Sequence, residues 1–132
     1  VIINNIPPQN IELEQSLLSS CLNNNESIND ISDILAPMDF YKTSHQKIYS
    51  AMLDLKRKSE PVDIVMLADK LKALKQLDEI GGATYLVYIT ETPIAVNDEH
   101  TAKKIKQYAV LRVAIDTCHK TIQACQEANG DA

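Results

Sequence analysis

Tryptophan is absent from this chain of 132 residues, phenylalanine occurs once, at Phe40, and glycine only three times. Sheets lean on aromatic and β-branched residues and on glycine-rich turns, so this scarcity argues for an all-α fold built from aliphatic residues and alanine. Cysteine is sparse and odd in number: Cys21, Cys118 and Cys125. With no secretory signal ahead of them, they point to reduced thiols in a cytoplasmic setting. No apolar run approaches the ~20 residues that cross a bilayer, so no membrane association is expected. Positive charge is missing from residues 1–41, which carry Glu12, Glu14, Glu26, Asp30, Asp33 and Asp39 but neither Lys nor Arg. The whole chain has a net charge of −5. An acidic chain without a basic stripe is expected to bind DNA little.

Reactive constellations are missing too. There is no glycine-rich phosphate loop with its Lys and Ser/Thr, and Gly81-Gly82 reads as a tight turn. Cys118 and Cys125 share a helix face, but His119 points ~100° away from Cys118 and no fourth ligand is in view, so no metal site is expected. His45 and His100 stand near helix starts and are expected to be solvated or locally bonded. No catalytic, cofactor-binding or metal-ligating residue is expected.

What is present is helical punctuation. Ile6-Pro7-Pro8-Gln9 is an extended lead-in, because proline disfavours helix in the residue before it. A first helix spans about Ile11 to Asn23, with Leu17, Leu18, Cys21 and Leu22 inward. Ser27-Ile28-Asn29-Asp30 resembles a capping box opening a short helix to Leu35, ended by Pro37. Thr43-Ser44-His45-Gln46 is a second such pattern, starting a helix to about Lys58 with Ile48, Ala51, Met52 and Leu55 as its core face. Lys56-Arg57-Lys58 falls in the last turn, where cations complement the dipole. Asp63 caps a fourth helix whose Ile64, Leu67, Ala68, Leu71 and Leu74 keep helical spacing. A fifth, after Gly81-Gly82, carries Tyr85, Leu86 and Ile89 to about Thr90. Residues 1–97 are thus expected to form a compact helical head of about five helices.

Residues 98–132 are different. From Asp98 no Pro or Gly intervenes until Gly130, and Asn97 is placed as the cap. The apolar face of this long helix changes sides. Ala102, Ile105, Ala109 and Val113 form one stripe. Tyr108, Leu111, Ile115, Cys118, Ile122 and Cys125 form a second, spaced 3-4-3-4-3 like a heptad seam and turned from the first by somewhat over 100°. Two stripes imply two packing partners. The first half is expected to dock on the head and the second to project, its seam awaiting another helix. Tyr108 and Leu111 could equally complete the head's core. Two functional classes survive: an interaction and oligomerisation module, or a stand-alone helix-turn-helix-like DNA-binding module whose reading helix would have to contain Lys103 to Lys106.

Five stretches then resemble the N-terminal domain of DnaB-type replicative DNA helicases, in family order. They are Ile6 to Leu18; Asp39-Phe40-Tyr41 with His45 and Ile48-Tyr49; Pro61-Val62-Asp63 with Leu67-Ala68 and Leu71; Leu77 to Leu86; and Thr92-Pro93, Ala95 and Asn97 with Tyr108-Ala109 and Leu111-Arg112. Ser19-Ser20 departs from the family's usual glycine, and Ile105 to Tyr108 is less basic than is common there. The resemblance implies a helical head followed by a helical hairpin, of which the last helix is the first arm. Hairpins in that family pair between subunits, collaring a hexameric ring as a trimer of dimers, and the collar recruits the C-terminal domain of DNA primase. A helicase loader is a further partner it suggests. ATP and Mg would belong to a RecA-like motor beyond a linker, absent here, so the chain would be a non-catalytic part of an ATP-hydrolysing helicase active in DNA replication. The interface residues so implied are Tyr108, Leu111, Ile115, Cys118, Ile122 and Cys125.

Overall fold

The computed structural model describes residues 6–130, so residues 1–5 and the closing Asp131 and Ala132 of the expected last segment lie outside it. Six helices follow in order: α1 (Ile11–Asn23), α2 (Glu26–Ser32), α3 (Thr43–Arg57), α4 (Ile64–Ala73), α5 (Gly82–Glu91) and α6 (Asp98–Gly130). A 3-10 turn at Pro37–Asp39 joins α2 to α3, and no strand occurs among the described residues. The all-α expectation and the five-helix head are met.

Each helix is placed by what it buries. From α1, Leu17, Leu18 and Cys21 enter the core, and from α3 come Ile48, Tyr49, Met52 and Leu55. Leu67 and Leu71 come from α4, Leu86 and Ile89 from α5, and Ala102 and Ile105 from α6. Fully burying side chains of this size contributes ~1.5–3 kcal/mol each, which offsets the ordering of the chain. α1 lies between α5 and α6, and α3 packs on α4. Leu74, expected on the core face of α4, is 46% exposed because the helix ends one residue earlier, at Ala73.

Two of the head's helices are capped by side chains, Asp63 as expected and Asn10 in addition. The Asn10 side chain accepts from the Leu13 N–H at 3.1 Å, and Asp63 accepts from Met66 at 2.8 Å. The two capping boxes do not form. α2 begins at Glu26, before Ser27, and α3 begins at Thr43 with no side-chain bond from its cap, Lys42. Asn25, which precedes α2, is occupied elsewhere: its amide bonds the Val62 carbonyl at 2.8 Å and accepts the Val62 N–H at 3.0 Å. α2 stops at Ser32, short of the expected Leu35, so Pro37 does not end it but opens the 3-10 turn. Within that turn, the Asp39 carboxylate accepts the Ala36 N–H at 2.8 Å. Before α5, Gly81 sits at φ 104°, and a Cβ there would lie 3.0 Å from the Tyr85 Cβ, so only glycine fits the corner.

Candidate interaction surface on the last helix

α6 runs for 33 residues. Its start is as expected: the Asn97 side chain accepts the His100 N–H at 3.0 Å, and Asp98 and Glu99 occupy the first turn. Thr101, Ala102, Ile105 and Ala109 are buried against the head. The next member of the expected stripe, Val113, is not; it is 65% exposed. The inward line continues three residues after Ala109 instead of four, and the slot belongs to Arg112. Its guanidinium donates to the Pro8 carbonyl and to the Asp39 carbonyl, both at 2.8 Å, and lies 5.3 Å from the centre of the Tyr41 ring. Toward the start of the helix, the Lys106 Nζ binds both Asp39 carboxylate oxygens, at 3.0 and 3.1 Å.

Beyond Arg112 the two faces of α6 diverge in chemistry. Every residue from Val113 to Gly130 is exposed. At ~100° per residue, the line that faced the head continues through Asp116, Lys120, Gln123 and Glu127. Those side chains satisfy one another: Asp116 pairs with Lys120 at 3.0 Å, and Gln123 donates to Glu127 at 3.0 Å. The second stripe stays apolar or small. Tyr108 is half-buried with the Lys104 Nζ 5.4 Å from its ring centre. Leu111, Ile115 and Ile122 are 50%, 43% and 56% exposed, and Cys118 and Cys125 are open thiols. Ile34, Lys103, Lys106, Gln107, Val110 and Leu111 line a cleft of about 560 Å³ where α6 leaves the head. Ile34 and Val110 were not singled out from the sequence, since neither lies on either stripe.

Inside the head, one cluster overturns a sequence expectation. His45 is not solvated; it is completely buried. Its Nδ1 lies 2.8 Å from the Glu14 carboxylate and its Nε2 lies 2.6 Å from the Tyr85 hydroxyl. Glu14, itself 1% exposed, also accepts the N–H groups of Tyr41 and Lys42 at 2.7 and 3.3 Å. Lys42 Nζ and Gln15 Nε2 both donate to the Tyr85 oxygen, at 3.2 and 3.3 Å. With two donors on that oxygen, its own proton is directed to Nε2, and the Nδ1 proton goes to Glu14. The circuit ties α1, α3 and α5 together, with Glu14 and His45 buried and Gln15, Lys42 and Tyr85 half-buried at its rim, so it acts as a clamp on the fold. Burial also raises the Cys21 thiol well above its ordinary range, with nearby Asp98 and Asp30 adding to the effect. Burial likewise raises the Tyr49 hydroxyl, which donates to the Leu35 carbonyl at 3.1 Å. Among the described residues no group of His, Cys, Asp and Glu is arranged to hold a metal ion, and no helix is long and apolar enough to cross a membrane.

The class the fold defines is a helical head that carries a single long arm with an exposed outer half. The chain matches the model of the DnaB-like helicase N-terminal domain over residues 6–107 and belongs to that family. It is 41% identical over 119 residues to the replicative DNA helicase DnaB of Geobacillus stearothermophilus, covering 89% of this chain and 26% of that protein. It is 42% identical over 113 residues to the replicative DNA helicase DnaC of Bacillus subtilis, covering 85% and 25% respectively. The chain therefore spans about a quarter of the length of these relatives. In structure it is similar to the N-terminal domain of DnaB helicase from Mycobacterium tuberculosis, with a TM-score of 0.85 at 37% identity, covering 89% of this chain and 86% of that one. A DnaB-like replicative helicase, described together with its interactions with primase, matches at a TM-score of 0.74 and 28% identity, covering 92% and 30%.

Proposed function

We propose that this chain is the N-terminal collar of a hexameric replicative DNA helicase. In this reading it joins neighbouring subunits through the α6 seam and offers the same arm and its adjoining cleft to the C-terminal domain of DNA primase. ATP, Mg and unwinding belong to a motor elsewhere in the full-length protein, in the cytoplasm, and a helicase loader is a further candidate for the arm. The observation that carries this reading is the split chemistry of α6. After Arg112 the line that faced the head turns polar and self-satisfied, while the seam remains apolar and exposed among the described residues. An apolar stripe kept on a helix that has left its core is a surface for another helix.

The work is done by geometry. Six apolar or small seam residues bury several hundred Å² per helix, at ~25 cal/mol per Å² before association costs. That suits weak pairing of free domains and firm pairing in a ring, where effective concentration is high. No observation favours the DNA-binding alternative: Lys106, in the only basic cluster on α6, is already held by Asp39.

Replacing Ile115 and Ile122 with Asp tests the seam. Sedimentation should show association lost while the circular dichroism of the chain is unchanged. Titrating the labelled chain with the C-terminal domain of its cognate primase should move resonances on α6 and around Ile34. Shifts confined to the far side of the head, or none at all, would defeat the recruiting role.

A further inference from the structure

We infer that Arg112 is a positioning residue, fixing the angle at which the seam leaves the head. Its bearing on ring assembly rests on the collar reading above, but the geometry stands by itself. Arg112 is the last residue of α6 that faces the head, and it closes with a polar clasp a line that buried side chains began. The two ends of its planar fork reach main-chain carbonyls far apart in sequence, Pro8 and Asp39, at 2.8 Å each, while its central carbon lies 5.3 Å from the centre of the Tyr41 ring. Three contacts in different directions leave the guanidinium little freedom. A lysine offers a compact point charge and lacks the rigid planar fork that reaches both carbonyls at once.

The base it grips does not yield. Phe40, between Asp39 and Tyr41, is completely buried, and the Tyr41 N–H is held by buried Glu14 at 2.7 Å. The Asp39 carboxylate braces its own turn through Ala36 and binds Lys106 as well. Lys106 and Arg112 thus meet the same segment at two points ~9 Å apart along the helix axis. One attachment would let the helix swing; two define a direction. The lead-in at Pro8 supplies the third, so a segment ahead of α1 serves to aim the last helix.

Double electron–electron resonance tests this directly. One spin label goes on the native thiol of Cys125 and a second on the head at Val65→Cys, with Cys118→Ser, in an excess of unlabelled chain so that only distances within one molecule are read. Buried Cys21 remains unlabelled. The parent should give one narrow distance distribution. Arg112→Ala and Arg112→Lys should both at least double its width, and a chain starting at Gln9, which removes Pro8 without touching α6, should broaden it by a smaller amount. Helix content should be unchanged and the thermal midpoint should stay within ~5 °C of the parent, which separates aiming from stabilising. An unchanged width in Arg112→Ala overturns the inference, because packing of Ile105 and Ala109 would then suffice. So does loss of helix content, because the residue would be building the helix instead of directing it. Sedimentation of the Ile115→Asp, Ile122→Asp variant reports on the seam separately, so the collar reading can fail while the angular result holds.

Discussion

The two halves of α6 are one continuous helix held by different means. Up to Arg112 the helix is anchored by apolar burial at Ala102, Ile105 and Ala109 and by cations at Lys106 and Arg112. From Val113 to Gly130 every residue is exposed, and the side-chain bonds of Asp116–Lys120, Thr121 to the Thr117 carbonyl and Gln123–Glu127 stay within the helix itself. Isolated helices of such length are marginal in water, so the docked half acts as a nucleus from which the free half propagates. Hydrophobicity alone does not say which half is core. Ile105 and Ile122 are the same residue type on one helix, and only the polarity of the opposing face tells them apart.

The largest effect should come from charging each half in turn. Ile105→Asp buries an unpaired carboxylate and should cost at least ~3 kcal/mol in denaturant unfolding. Ile122→Asp should fall within ~0.5 kcal/mol at a concentration where the chain is monomeric. Equal losses would mean that the outer half is core after all. Next comes the support beneath the docked half. Glu14→Ala strips the acceptor from the Tyr41 and Lys42 N–H groups and from His45, and should cost ~2–4 kcal/mol in the same assay. An effect below ~1 kcal/mol would show that water replaces the carboxylate.

Alkali should separate head from arm. Cys21 and Tyr49 are raised in the folded state, so above their ordinary values of 9.0 and 10.0 the unfolded chain loses protons that the folded chain keeps. Stability contributed by each is complete below those values and declines as pH rises, by up to ~1.4 kcal/mol per pH unit for each group. Tyr49→Phe should remove the second of these slopes. If unfolding free energy is flat from pH 8 to 11, the burial account of these groups is wrong. The smallest effect distinguishes the stripe expected from sequence from the one observed: Val113→Ala should change stability by less than ~0.5 kcal/mol, where a core valine would cost well above 1.

Helix order, the Asn97 and Asp63 caps, the Gly81 corner and the change of face on α6 were legible because each depends on neighbours within one or two turns. What escaped depends on partners far away in sequence. Ser27 and Thr43 look like capping positions, yet the N–H groups just before α3 are taken by Glu14 from α1, and Asn25 is committed to Val62. His45 sits in a local pattern indistinguishable from a solvated one, and only the approach of α1 and α5 buries it. Arg112 broke the stripe by a single residue. Spacing of three and of four are equally helical, and nothing local says that a guanidinium will find two carbonyls where a methyl group was expected. The seam residues themselves were legible as a pattern and lie exposed along the outer half, with Tyr108 half-buried at its root.

The 33 residues of α6 have a mechanical consequence. At ~1.5 Å per residue the helix is ~50 Å long, and the part beyond Arg112 is a lever of ~27 Å. A tilt of about 10° at its root would carry the tip sideways by ~5 Å, close to the rise of one helical turn. Knobs on a heptad seam would then face the wrong holes. The tolerance for a good fit at the far end is therefore decided at the near end, in a few ångströms around Asp39.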